Sequence, residues 1–172
     1  MLLRLIGTGR LQADEIRVTF QEYDLIKTGL EWMTMGFAIH LMAFDDRDKF
    51  DRAIVERAFK ELARDLSGGH WNLYAPDGEY YSAEVYIREG PQIRGFMVSR
   101  PPFVPKFWDA MFDIMRQTRT GLCWPGSDPP QWCVANPDFR SYAPPDVFKA
   151  LGEPAIATSG AEIETAIEAA GH

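Results

Sequence analysis

The stretch from Pro101 to Cys133, PPFVPKFWDAMFDIMRQTRTGLCWPGSDPPQWC, constrains the fold more than any other part of the chain. It carries three of the five Trp and both Cys. Pro101, Pro102 and Pro105 end whatever strand precedes them, and Pro105 suits the first position of a helix, where no backbone N–H is needed. Phe107, Trp108, Met111, Phe112, Ile114 and Met115 then form an apolar stripe, with Lys106, Asp109, Asp113, Arg116 and Gln117 opposite. Fully burying each large side chain contributes on the order of 1.5–3 kcal/mol, so this helix is expected to anchor the core. Beyond Gly121 the spacing predicts a hairpin, Leu122–Trp124 against Trp132–Val134. Symmetry about Asp128 sets Cys123 opposite Cys133 and Trp124 opposite Trp132.

Upstream, Phe37 to Phe44 is a near-continuous apolar run, the pattern of a strand covered on both faces. A helix is expected next, from an N-cap at Asp48 to a stop at Gly68-Gly69, with Ile54, Ala58, Leu62 and Leu66 on one side. On its outer side Glu56 with Lys60 and Arg57 with Glu61 stand one turn apart. His70–Tyr74, Tyr80–Arg88 and Ile93–Arg100 read as three antiparallel strands. In the middle one Tyr81, Ala83, Val85 and Ile87 alternate with Tyr80, Ser82, Glu84, Tyr86 and Arg88.

At the N-terminus, Leu2–Ile6 and the alternating Ile16, Val18 and Phe20 suggest a β ribbon around a glycine turn at Gly7 and Gly9. A dinucleotide fingerprint is incomplete there, because Gln12 stands where a third Gly would be needed. Lys27–Gly36 is ambiguous. From Asn136 on, a short helix at Asp146–Leu151, a brief strand at Pro154–Ala157 and a last helix from Ala161 to Ala170 capped by Ser159 complete the chain. The expected architecture is therefore α+β, an antiparallel sheet packed by two main helices in a ferredoxin-like sandwich. An N-terminal β ribbon and a C-terminal α/β extension complete it. The main domain covers 1–135 and the extension 136–172 packs on it, or the two form one domain.

Charge and composition narrow the function. Of 172 residues, 25 are acidic and 18 are Lys or Arg, a net charge of −7. Clustered Lys and Arg that would displace counterions from phosphates are not seen, which argues against nucleic acid. The opening Met-Leu-Leu-Arg-Leu-Ile reads as core, and no apolar run is long enough to span a bilayer. With two Cys in all, a cytoplasmic location without membrane partner is expected.

Candidate chemistry is thin. The thiols of Cys123 and Cys133 fit buried free cysteines, a redox pair or a nucleophile. Ten-residue spacing and three His in the chain make a poor zinc site. Asp109 and Asp113 could be a general acid–base pair or two solvated carboxylates. Asp45, Asp46 and Asp48 fit a helix front, with a metal site as the sharper alternative. No cofactor is expected, and the reading leans away from an enzyme. The alternative is a small cytoplasmic enzyme assembled from distant residues, Cys123 or Cys133 with His40 or His70 and Asp109.

In its overall texture, small, acidic, aromatic-rich and without a catalytic motif, the chain resembles cytoplasmic immunity proteins of bacterial toxin–immunity systems, of the type VI or contact-dependent kind. The resemblance implies a non-catalytic protein-binding module that occludes a cognate toxin, with a protein partner such as a basic toxin domain. Acids at the rim and aromatic anchors at the centre would make the contact, with Asp45, Asp46, Asp48, Glu84, Tyr86, Trp124 and Trp132 as candidates. A homo-oligomer, docked through the C-terminal helix, is compatible with the same composition.

Overall fold

The computed structural model describes residues 37–75, 77–124 and 131–170. The expected N-terminal ribbon, the glycine turn and Lys27–Gly36 lie outside the described residues.

The protein is a mixed α+β fold built on a large, mostly antiparallel sheet with four helices. Strand β1 (Ala38–Ala43) lies inside it, paired antiparallel with β6 (Gly95–Ser99) on one side and β7 (Thr120–Trp124) on the other. Ala38, Ile39, Leu41, Met42 and Ala43 are all buried, as its unbroken apolar run requires.

The segment after β1 departs from expectation at both ends. Asp46–Asp48 forms a short 3-10 turn, followed by β2 (Phe50–Asp51) and helix α1 (Arg52–Phe59). The N-cap is Asp51, whose Oδ1 accepts from the Ala53 N–H at 2.9 Å, not Asp48. Helix α1 stops at Phe59, well before Gly68. Its continuation is drawn toward the sheet, where the Tyr74 N–H donates to the Leu62 carbonyl and Ala63 bridges Leu73. Arg52, only 8% exposed, holds the detour in place by donating to the carbonyls of Leu66, Gly68 and Arg88 and to Glu56. Those carbonyls would otherwise be left without helical partners.

Strands β3 (His70–Tyr74) and β4 (Tyr80–Ile87) form the expected hairpin, and β6 joins β4 to the centre. The strand anticipated over Ile93–Arg100 is split. β5 (Gln92–Ile93) leaves to pair with β2, and only β6 enters the main sheet. Gly95 permits this, because a Cβ there would lie 2.1 Å from the Leu41 carbonyl oxygen.

Helix α2 (Pro105–Gln117) starts at the expected proline. It ends where Thr118 turns extended and its hydroxyl takes the Ile114 carbonyl. β8 (Gln131–Val134) extends the sheet beside β7, and a 3-10 turn (Pro137–Ser141) leads to α3 (Pro145–Leu151). β9 (Ala155–Ile156) then adds to β8 in parallel, and α4 (Gly160–Ala169) follows, capped by Ser159. The strand order is β3-β4-β6-β1-β7-β8-β9.

The hairpin register is one residue away from the expected one. Leu122 pairs with Cys133, Cys123 with Trp132 and Trp124 with Gln131. Six residues, not seven, separate the paired ends, and a shift of one sends side chains to opposite faces. Cys123 and Cys133 therefore do not face each other, and neither do Trp124 and Trp132.

Each face of the sheet has its own core. Helices α1, α2 and α4 cover one face, enclosing Phe59, Trp71, Phe96, Phe107, Trp108, Leu122, Trp124, Cys133, Ile163 and Ile167. On the other face, the 3-10 turn and α3 close over the β7–β8 end around Cys123, Trp132, Val134, Phe139, Val147 and Leu151. The segment from Asn136 thus packs on both faces.

Candidate functional site

Of the aromatic anchors foreseen in the sequence, Trp124 and Trp132 are 3% and 2% exposed. Trp124 sits in the helix-covered core. Trp132 sits in the second core, where its indole N–H donates to the Gly152 carbonyl at 3.1 Å. Both are packing residues, and neither is a contact surface. Hydrophobic and amphipathic roles look alike in composition, so only register separated them.

The three aspartates are each paired within the chain. Asp45 caps the 3-10 turn and holds Arg47 at 3.1 Å, which keeps its carboxyl below the usual range. Asp46 stands 3.5 Å from Lys49 and 3.4 Å from Arg94, and Asp48 stands 3.3 Å from Arg119. Among the described residues no group of three His, Cys, Asp or Glu is placed to hold a metal ion.

The pieces of an assembled enzyme site are dispersed. Successive Cα partners across six strands form one lateral row, His70, Tyr86, Met97, His40, Cys123 and Trp132. It brings His40 beside Cys123, a juxtaposition that the sequence did not disclose. An activated pair would need a lowered thiol and a raised imidazole. Burial does the reverse, pushing His40 down to about 4 and Cys123 up to about 12. Both are neutral at pH 7. Cys133, also pushed up by burial, faces the other core, and Asp109 lies on α2 on that same side. His70 is at the far end of the row.

What the structure does assemble is a polar, aromatic patch on the outer face of β3 and β4. Glu84 is its centre. One carboxylate oxygen accepts from the Tyr86 hydroxyl at 2.5 Å; the other stands 3.6 Å from Arg100 and 3.9 Å from His70. The His70 ring lies 4.9 Å from that of Tyr86, and Tyr74 and Tyr80 pair at 5.5 Å. The guanidinium of Arg64 sits 4.2 Å over Tyr74, a cation–π contact. Burial and the Glu84 carboxylate push the Tyr86 hydroxyl well above its ordinary range, and burial does the same, more mildly, to Tyr80. Both stay protonated donors.

Local backbone aims this patch. The β3–β4 register shifts between Asn72 and Tyr74, and within the irregularity Ser82 takes a left-handed φ of 58°. A bulge of this kind bends a strand and redirects its side chains, and here it lies between Tyr80 and Glu84, two of the residues of the patch. Arg100, at φ 51°, closes the opposite border. Glu84 and Tyr86 were legible in the sequence as alternating outward residues. Tyr80 belongs to the same alternating set, whereas His70 comes from β3 and Arg100 from the residue after β6, and no local period in the sequence ties those two to Glu84.

No helix among the described residues is long and apolar enough to cross a membrane. Comparison of the chain with protein-family models, with curated proteins and with solved structures finds no match.

Proposed function

We propose that this chain is a non-catalytic protein-binding module of the cytoplasm, an immunity protein that binds and occludes a cognate bacterial toxin. One observation carries the reading, the patch of Tyr74, Tyr80, Tyr86 and His70 around Glu84 on the outer face of a rigid sheet. Tyrosines supply large contact area at small entropic cost, and a half-buried carboxylate among them gives a partner's cation a defined seat. The paired loop Asp45, Asp46 and Asp48 serves as a rim that steers a basic partner in competition with its own arginines. The fold is read as a ferredoxin-like sandwich. That finer reading is supported by the inner order β4-β6-β1-β7, with α1 following β1 and α2 joining β6 to β7. An N-terminal ribbon and the segment from Asn136 would be additions to that frame.

The test is neutralisation of the toxin encoded beside this protein. Wild type should form a stoichiometric complex and abolish the toxin's activity, while Tyr80→Ala and Glu84→Lys should lose both and still show the wild-type circular dichroism spectrum. Full neutralisation by both variants would sink the reading.

A further inference from the structure

A second surface, away from the Glu84 patch, carries charge opposite to that of the chain as a whole. The flanks of α1 and α2 leave an open groove of about 430 Å³ whose polar lining includes Arg57, Lys60, Lys106 and Arg116, with Glu61 and Asp113 as its acids. Four cations face two carboxylates there, in a chain of net charge −7. Ile54 and Ala58, both partly buried against the core, give it an apolar floor.

The ends of the groove are defined by two bridges. At one end the Arg57 guanidinium donates to Gln117 at 3.0 Å, beside the Arg116–Asp113 pair at 2.7 Å. At the other, Lys106 meets Glu61 at 2.6 Å, beside Lys60. Lys60 makes no ion pair among the described residues. Lys106 and Arg116 are ten residues apart on one helix, so their backbone positions stand roughly 15 Å apart at 1.5 Å per residue. An extended chain covers that span in about five residues. Both ion pairs are about half exposed, Glu61 at 59% and Asp113 at 52%, so an incoming carboxylate can exchange with either at little cost.

We propose that the α1–α2 groove binds an extended acidic peptide segment of a protein partner, its carboxylates shared between the Arg57–Arg116 end and the Lys60–Lys106 end. The apolar floor takes a small side chain between them. This site is separate from the toxin-binding reading and stands or falls without it.

The probe is a labelled five-residue peptide, Glu-Glu-Ala-Glu-Glu, titrated by fluorescence anisotropy at 20 mM and 150 mM salt. Wild type is expected to bind and to weaken with salt. Lys60→Glu and Arg57→Glu should each weaken binding by about tenfold, and the Gln analogue of the peptide should not bind. Lys149→Glu, the same charge change on exposed α3, should stay within about twofold. Chemical-shift mapping of amides 54–61 and 106–117 reports the site even if a variant is unstable. Loss of binding in Lys149→Glu equal to that in Lys60→Glu would overturn the proposal as mere net charge. Displacement of the peptide by inorganic phosphate at equal concentration would overturn it in favour of a small-anion site, as would shifts confined to other residues.

Discussion

The two faces of the sheet use the same strands for opposite purposes. Toward α1, α2 and α4 the strands present Ile39, Leu41, Trp71, Val85, Phe96 and Leu122, all fully buried. Toward the other side they present one continuous row from His70 to Trp132, and its character changes along the way. It is tyrosine-rich and wet at β3–β4, closed around His40 and Cys123 in the middle, and aromatic core under α3 at the far end. The lesson is that one face fixes the fold, which leaves the other free to vary its chemistry from strand to strand.

Truncating one large side chain in each core is the severest test of that division. Phe107→Ala should destabilise the protein by about 3–5 kcal/mol in urea melts, as expected for a fully enclosed ring. Leu151→Ala, at the rim of the second core, should cost about 2 kcal/mol, with extra hydrogen exchange confined to 131–157. Equal costs and a global loss of protection in both would erase the distinction.

His40 tests whether the middle of the outer row is shut off from solvent. Its pKa falls from 6.5 to about 4 through burial. Between those values the unfolded chain holds a proton that the folded one does not. The stabilising contribution is therefore complete above pH 6.5 and lost as pH falls toward 4, by up to about 3 kcal/mol. The partial exposure of the ring makes that an upper figure. The loss should vanish in His40→Leu, whereas contributions of Asp45 and Asp65, whose carboxyls are lowered by hydrogen bonds, persist in both proteins and fade only below about pH 3.8. An identical pH dependence in the two proteins would mean that His40 is open to water.

A smaller effect is expected where the helix layer closes. A Cβ on Gly160 would lie 2.5 Å from the backbone of Trp108 and Asp109, so Gly160→Ala should push α4 off α2 at a cost of about 1–3 kcal/mol. Smallest of all is Tyr86→Phe, which removes one half-buried hydrogen bond to Glu84 and should cost about 1 kcal/mol while lowering partner affinity. A silent Gly160→Ala would mean looser helix packing than drawn, and a larger loss for Tyr86→Phe would make the outer patch part of the core.

What could be read from the sequence was whatever a local period determines. The apolar run of β1 and the stripe of α2 were correct almost to the residue, because burial alone specifies them. The N-cap was misplaced because Asp45, Asp46, Asp48 and Asp51 are chemically equivalent candidates, and the choice falls to Arg94 and Arg119, which occupy Asp46 and Asp48 from the β5–β6 and α2–β7 junctions. The charge pairs on α1 were misread for the same reason. Glu56 goes to Arg52 and Glu61 to Lys106, so that Lys60 and Arg57 are left to line a groove. The β7–β8 register hung on a one-residue difference in loop length, a quantity that symmetry of composition does not encode.

The position of β1 also sets a schedule. Ala38 pairs with Ser99 and His40 with Cys123, so the strand at the heart of the sheet waits for partners synthesised about 60–80 residues later. At roughly 5–20 residues per second, that is on the order of several seconds during which an apolar segment has both edges open. The β3–β4 hairpin, made entirely of near neighbours, can close meanwhile. A nascent chain stalled before β7 would therefore be the aggregation-prone species, and chaperone demand should drop sharply once Trp124 has left the ribosome.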